Sequence, residues 1–220
     1  MGLIQFENVA FSYPCKSDRQ RFGLTVPHFK PGSCTALLGE NGSGKTTLGK
    51  LAAGLLRPDR GRVLYDGQDI INWPLGRIGQ TVGYLFQEPC RQIFAARPLE
   101  EIAFPLELRG MEKAEAEQKA RALCAQFELE NILDHTTYTL SRGEKQRLAL
   151  AAMMACEPRF LVLDEPTTGL DRRRRDILAS ALHRLLAQGV GLLLISHDRA
   201  FAENLGADLQ FIEGGRLQNA

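Results

Sequence analysis

From Leu3 to Val9 apolar and polar residues alternate, the period of a half-buried strand. Thr35–Leu38 is a short apolar run that stops at Gly39. After a glycine-rich turn, Lys45–Leu55 carries apolar residues at helical spacing, and Gly54 and Pro58 close that helix. Arg62–Tyr65 and Val82–Phe86 predict further strands. Between Pro89 and Cys156 the texture changes: Met111–Phe127, rich in Ala, Glu, Lys and Arg, and Arg142–Met154 both predict helices. Phe160–Leu163 is continuously apolar, as suits a strand buried on both faces. Arg172–Ala187 predicts a helix, Val190–Ile195 a strand and Asp198 the start of a short helix; a last strand pair turns at Gly214 and Gly215. Strands alternating with helices imply an α/β fold with a mostly parallel sheet covered on both sides. The expectation is one domain over 1–220, with an α/β core at 1–87 and 157–220 and a helical lobe inserted at 88–156.

Composition narrows the function classes. The chain has 220 residues, 44% hydrophobic and 24% charged, which is ordinary for a globular protein and excludes a fibrous or disordered one. Lys plus Arg (27) nearly cancel Asp plus Glu (26), so no general field draws nucleic acid or anionic lipid, and no nucleic-acid partner is expected. Cysteines 15, 34, 90, 124 and 156 are scattered and never spaced CxxC, which favours reduced thiols in a cytosolic protein over a disulfide framework or zinc cluster. The N-terminus lacks the basic region of a signal peptide. The longest uncharged stretch, Leu185–His197, is well short of the roughly 20 residues a spanning helix needs. Function must therefore sit in a local site.

Gly39-Glu40-Asn41-Gly42-Ser43-Gly44-Lys45-Thr46 fits GxxxxGK[ST] between a predicted strand and a predicted helix, the arrangement of a P-loop NTPase. Glycines let successive N–H groups point into one concavity, and the following helix adds its partial positive charge. Gly39, Asn41, Gly42, Ser43, Gly44, Lys45, Thr46 and Thr47 are the candidate nucleotide-binding residues. Lys45 would neutralise the β- and γ-phosphates, and Thr46 would offer its hydroxyl to Mg²⁺. Phe160–Leu163 then delivers Asp164 and Glu165 at a strand's C-terminal end, where ligands of open α/β sheets bind. Asp164 is a candidate Mg²⁺ holder, and Glu165 a candidate general base for an attacking water. Each motif has a plainer alternative: a glycine turn capping a helix, or an acidic strand end leaving the core.

Leu140-Ser141-Arg142-Gly143-Glu144-Lys145-Gln146-Arg147 resembles the signature segment of ABC ATPases, LSGGQ or LSGGE followed by KQR. Phe86-Gln87-Glu88-Pro89 is similar to their Q-loop, Gly169-Leu170-Asp171 to the D-loop, and Ile195-Ser196-His197-Asp198 to the switch-histidine segment. The resemblance covers nearly the whole chain. It implies a RecA-like P-loop core, an N-terminal antiparallel β subdomain and an inserted helical subdomain. It also implies that Tyr13 stacks on adenine, that Gln87 reaches Mg²⁺ and the attacking water, and that His197 meets the γ-phosphate. Ser141 and Gly143 would face the nucleotide of a second ATPase subunit, in a homo- or heterodimer, with Asp171 at the dimer interface. Ser141-x-x-Glu144 is equally a helix capping box, a role compatible with the functional one.

Phe11-Ser12-Tyr13-Pro14, Gln92-Ile93-Phe94-Ala95 and the Glu-Lys-Gln-Arg run resemble the ATPase subunits of energy-coupling factor (ECF) and cobalt-type importers. That resemblance implies an ATP- and Mg²⁺-dependent subunit on the cytoplasmic face of the membrane, bound to an integral membrane subunit through residues from Gln87 to Phe104. The cargo would be a vitamin or a metal ion. Relatives of this type often carry more C-terminal sequence, which implies either minimal dimer contacts here or pairing with a longer subunit. The alternatives are a soluble ABC ATPase of a cluster-assembly system and a nucleotide-binding regulatory subunit. Arg142 departs from the family pattern by replacing the first glycine of the signature. Its guanidinium either points to solvent, contacts phosphate or crowds the partner's nucleotide, while Arg172–Arg175 reads as the solvated start of a helix.

Overall fold

Residues 3–13, 29–213 and 216–219 are described by the structure, a computed structural model. In chain order the strands are β1 (Ile4–Ala10), β2 (Cys34–Leu38), β3 (Arg60–Tyr65), β4 (Gln68–Asp69), β5 (Val82–Leu85), β6 (Phe160–Asp164), β7 (Gly191–Ile195), β8 (Asp208–Glu213) and β9 (Arg216–Asn219). The α-helices are α1 (Lys45–Ala52), α2 (Leu75–Gly79), α3 (Pro98–Glu107), α4 (Lys113–Gln126), α5 (Arg142–Ala155), α6 (Arg172–Ala187) and α7 (Arg199–Asn204). The turn expected at Gly214 and Gly215 lies outside the described residues, as do Pro14 and Cys15.

Two sheets form. One has the order β5-β6-β7-β2-β8-β9, with β9 antiparallel to β8 and the other pairs parallel; the second is antiparallel, β1-β3-β4. The continuous apolar strands hide a period of two. Leu37, Val162, Leu193 and Ile195 face a core shared with α1 and the antiparallel sheet, while Ala36, Leu161, Leu163, Leu192 and Leu194 face a core shared with α3, α4, α5 and α6. Both faces are covered, so polar residues would cost energy on either side, and β2, β6 and β7 are buried along their length.

The stretch between β5 and β6 contains α3, α4, α5 and short 3₁₀ turns. The apolar spacing anticipated α4 and α5 but not α3. Pro105 sits inside α3, where its missing N–H argues against a helix. The helix persists because Pro98 opens it and because Ile102, Ala103 and Leu106 are buried in the larger core. Helix α1 stops short of the expected Leu55, since Gly54 turns left-handed just after the cap. Cys34, Cys90, Cys124 and Cys156 are free thiols, and burial pushes the Cys34 thiol up to about 12. Among the described residues no helix is long and apolar enough to cross a membrane.

Candidate functional site

The backbone turns from β2 into α1 through 39–44, and Gly44 caps the helix in the left-handed conformation. At Gly39, φ is 147° and a Cβ would lie 2.4 Å from the Ile212 carbonyl oxygen, so β8 leaves room for glycine alone. Lys45 is only 6% exposed; its Nζ donates to the carbonyls of Gly39 (2.7 Å) and Glu40 (2.9 Å). The Ser43 hydroxyl is buried without a hydrogen-bond partner. An orphaned hydroxyl beside a lysine at a helix N-terminus fits a phosphate oxygen.

A cavity of about 310 Å³ opens beside this loop. It is lined by Tyr13, Asn41, Gly42, Gly44, Lys45, Thr46, Thr47, Gln87, Glu165, Thr168, Ile195 and His197. Ten residues singled out from the sequence thus meet at one opening. Gly39, Ser43 and Asp164 do not line it, although Asp164 reaches it through Thr46. Ser141 and Gly143 stand elsewhere, at the start of α5, where Ser141 is half-buried and Gly143 buried.

Asp164 ends β6 and is buried. Its Oδ1 accepts from the Thr46 hydroxyl (3.2 Å) and its Oδ2 from the Tyr84 hydroxyl (2.8 Å). Burial pushes the Asp164 carboxyl above its ordinary range; the two hydroxyls pull it back and the neighbouring Glu165 charge adds to the rise. A buried carboxylate raised by desolvation favours a cation beside it. Thr46, Asp164 and the exposed Gln87 amide supply hard oxygens, the donor chemistry of Mg²⁺. The residues present therefore fit the ion.

Tyr84 was not singled out from the sequence. It lies 80 residues from Asp164, and the sequence predicts only a strand there. The expected outcome of Tyr84→Phe, which strands a buried carboxylate oxygen, is a loss of about 1–2 kcal/mol of stability. Denaturant unfolding of the two proteins measures it, and identical midpoints and slopes would count against the bond.

Glu165 has φ 50°, a left-handed conformation costing about 1–2 kcal/mol for a residue with a Cβ. Its amide is fixed by donation to the Ile195 carbonyl (2.8 Å), so the β6–β7 register dictates the bend. The bend brings its Oε2 2.7 Å from His197 Nδ1 and 3.5 Å from the Thr168 hydroxyl. The Glu165 side chain is 11% exposed and that of His197 69%, so the histidine stands at the rim over a sheltered carboxylate. Tyr13, 40% exposed, packs edge-on against Phe11 with its hydroxyl 3.4 Å from that of Thr47. One ring face is thus positioned at the cavity edge.

At the start of α5 the capping box is formed. The Ser141 amide donates to Glu144 Oε2 (2.7 Å) and the Glu144 amide to Ser141 Oγ (3.4 Å). The Ser141 hydroxyl and the nearby arginines hold the Glu144 carboxyl below its usual range, against the effect of burial. Gln146, buried, donates to the Pro166 carbonyl and ties α5 to the turn after Glu165. Arg142 does not simply face solvent: it donates to the Gln87 carbonyl oxygen (3.1 Å). Asp171 caps α6 by accepting from the Arg174 amide (2.9 Å). Arg172 and Arg173 are exposed as expected. Arg175, exposed as well, also donates to the Leu170 carbonyl (3.2 Å) and to Asp198 (2.9 Å), joining the turn before α6 to the cap of α7.

Comparisons with known proteins give the chain a family. A family model described as ABC transporter matches residues 26–168. A putative ABC transporter ATP-binding protein of Pyrococcus abyssi is 34% identical over 98% of this chain and 82% of its own length. A putative ABC transporter ATP-binding protein of Methanosarcina acetivorans is 39% identical over 86% of this chain, which spans only 31% of that longer protein. Among solved structures, cbiO1 from Clostridium perfringens, part of the ABC transporter complex cbiONQ, superposes with a TM-score of 0.87 at 28% identity. It covers 99% of this chain and 87% of its own. The ATP-binding cassette MJ0796, solved as a dimer bound to ADP and Pi, shares the fold with a TM-score of 0.87 at 23% identity, over 98% of this chain and 97% of its own. A phosphate loop, a buried aspartate under its threonine and a glutamate–histidine pair at one cavity therefore have a family: this chain belongs to the ABC transporter family, as an ATP-binding, ATP-hydrolysing subunit.

Proposed function

We propose that this subunit energises a membrane importer of the ECF or cobalt type, by closing on ATP together with a second ABC ATPase subunit and reopening after hydrolysis. One observation carries the hydrolytic part: Lys45, Thr46, Gln87, Glu165 and His197 open onto a single cavity. In that cavity the 39–44 amides, Ser43 and Lys45 would hold the phosphates, and Tyr13 would stack on the adenine. Thr46 and Asp164, with Gln87, would hold Mg²⁺, whose charge offsets that of the phosphates. Glu165 would take the proton of the attacking water, and His197, whose Nδ1 lies 2.7 Å from that carboxylate, would meet the γ-phosphate.

Ser141 and Gly143 lie away from the cavity, which supports their role toward the partner's nucleotide. The capping box occupies the amides of Ser141 and Glu144; those of Arg142 and Gly143, in the first helical turn, would be the donors offered to an anion. One chain then supplies half of each composite site. The proposed boundaries are a core at 1–87 and 157–220 and a moving helical lobe at 88–156. On that lobe Phe94 (62% exposed) and Phe104 (41%) pair edge-to-face at 4.8 Å, an apolar surface suited to a membrane subunit. It lies within the expected transmission stretch from Gln87 to Phe104. The likeness to cbiO1, part of an ABC transporter complex, supports a transporter role; the importer class, a vitamin or metal ion as cargo and a position on the cytoplasmic face are further parts of the proposal.

Isolation from detergent-solubilised membranes tests this. The tagged chain is expected to copurify, in fixed stoichiometry, with a polytopic membrane protein and to hydrolyse ATP in that complex. Recovery with soluble proteins alone would overturn the transport role and favour an assembly ATPase.

A further inference from the structure

Arg142 occupies a position where the family pattern has glycine, and the structure shows where its side chain goes. It is the first residue of α5, and its Nη2 donates to the Gln87 carbonyl oxygen at 3.1 Å, 55 residues back in the chain. On the way it crosses Gly169: a Cβ at 169 would lie 3.3 Å from Arg142 Cδ and 3.4 Å from its Cζ and Nε. Gly169 has φ 77°, so the turn before α6 presents bare backbone to the arginine stem. The guanidinium thus bridges three segments: the signature turn, the loop carrying Gln87, and the turn leading to α6.

Other amides of the Gln87 loop are bonded within its own neighbourhood. The Phe86 amide donates to Gln92 Oε1 (3.0 Å), and the amides of Phe94 (3.0 Å) and Ala95 (2.7 Å) donate to the buried Glu101 carboxylate. The turn at Pro89–Arg91 packs against α5, and the Gln87 carbonyl adds a hydrogen bond from the first residue of that helix. A charged donor fixing that carbonyl restricts the rotation of the peptide next to the side chain that lines the cavity. A glycine at 142 offers no such donor.

We propose that Arg142 is a positioning residue for Gln87, a latch acting within one chain that replaces loop freedom by a fixed peptide orientation. The proposal deepens the role given to Gln87 above and rests on it. It assigns the arginine to the chain's own site rather than to the nucleotide of a partner. Arg142 is exposed, so its removal leaves no hole in the core.

The test is steady-state hydrolysis by Arg142→Ala, Arg142→Gly and Arg142→Lys, together with amide hydrogen exchange over 86–92 in the isolated chain. Loss of a charge-assisted hydrogen bond is expected to lower kcat about fivefold in the Ala and Gly variants, with KM for ATP changed less than about twofold. Lysine should restore part of the rate, and the 86–92 amides should exchange faster in Arg142→Ala. In a Gln87→Ala background, Arg142→Ala should cost nothing further, because a latch works only through the residue it holds. Turnover equal to or above the parent in Arg142→Ala and Arg142→Gly overturns the proposal, as does unchanged exchange or additive loss with Gln87→Ala. If Gln87→Ala itself runs at full rate, it is the role of Gln87 that falls, and the latch with it. A slow Gln87→Ala beside a fast Arg142→Ala condemns the latch alone.

Discussion

Glu165→Gln is expected to hold ATP nearly as well as the parent and to hydrolyse it at least about a hundredfold more slowly, the scale of a lost general base. Glutamine keeps the shape, and the bend at φ 50° with its amide on the Ile195 carbonyl is a backbone feature the substitution does not touch. What goes is the charge that would accept a proton. The Oε2 now receiving His197 Nδ1 at 2.7 Å becomes part of a neutral amide. The contact can survive through the amide oxygen, so ring orientation is largely kept while basicity is gone. Phosphate release and nucleotide binding, measured on the same preparation, separate the two effects. A rate within tenfold of the parent would remove Glu165 as the base, and a matching loss of affinity would place it in binding instead.

The division between what the chain's pattern reveals and what it hides follows sequence distance. The strands β2 and β6, the helix α6 and the phosphate loop were legible because each is specified by neighbours: an apolar run, a helical period, glycines before a lysine. The acid pair was legible because it ends such a run. Tyr84 under Asp164, Arg142 on Gln87 and Arg175 between Leu170 and Asp198 were not. The contacts of Tyr84 with Asp164, Arg142 with Gln87 and Arg175 with Asp198 join residues 80, 55 and 23 positions apart, and they depend on sheet order and helix placement that no local period encodes. Helix α3 was hidden for a different reason: Pro105 inside it weakens its local signal, and burial of Ile102 and Leu106 overrides that. The signature serine shows the opposite case. Its capping box was evident from spacing alone because both partners fall within one helical turn.

Lys45→Ala is expected to weaken ATP binding by about a hundredfold or more, since the ammonium would make charge-assisted bonds to two phosphates, each contributing about 1.5–3 kcal/mol. The same Nζ donates to the Gly39 and Glu40 carbonyls, at 2.7 and 2.9 Å. Those bonds keep the lysine folded over the loop, 6% exposed, so it is already desolvated when phosphate arrives. Exchanging two neutral carbonyls for anionic oxygens strengthens the interaction without a new desolvation cost. The alanine variant loses this gain and strands two carbonyls, which can turn to solvent at the loop edge. The loss should therefore grow with the number of phosphates: small for AMP, larger for ADP and largest for ATP. Calorimetric titration with the three nucleotides reads this gradient directly. Equal weakening for all three would point to a collapsed loop rather than a missing charge, and unchanged ATP affinity would mean that the cradle is not where the triphosphate sits.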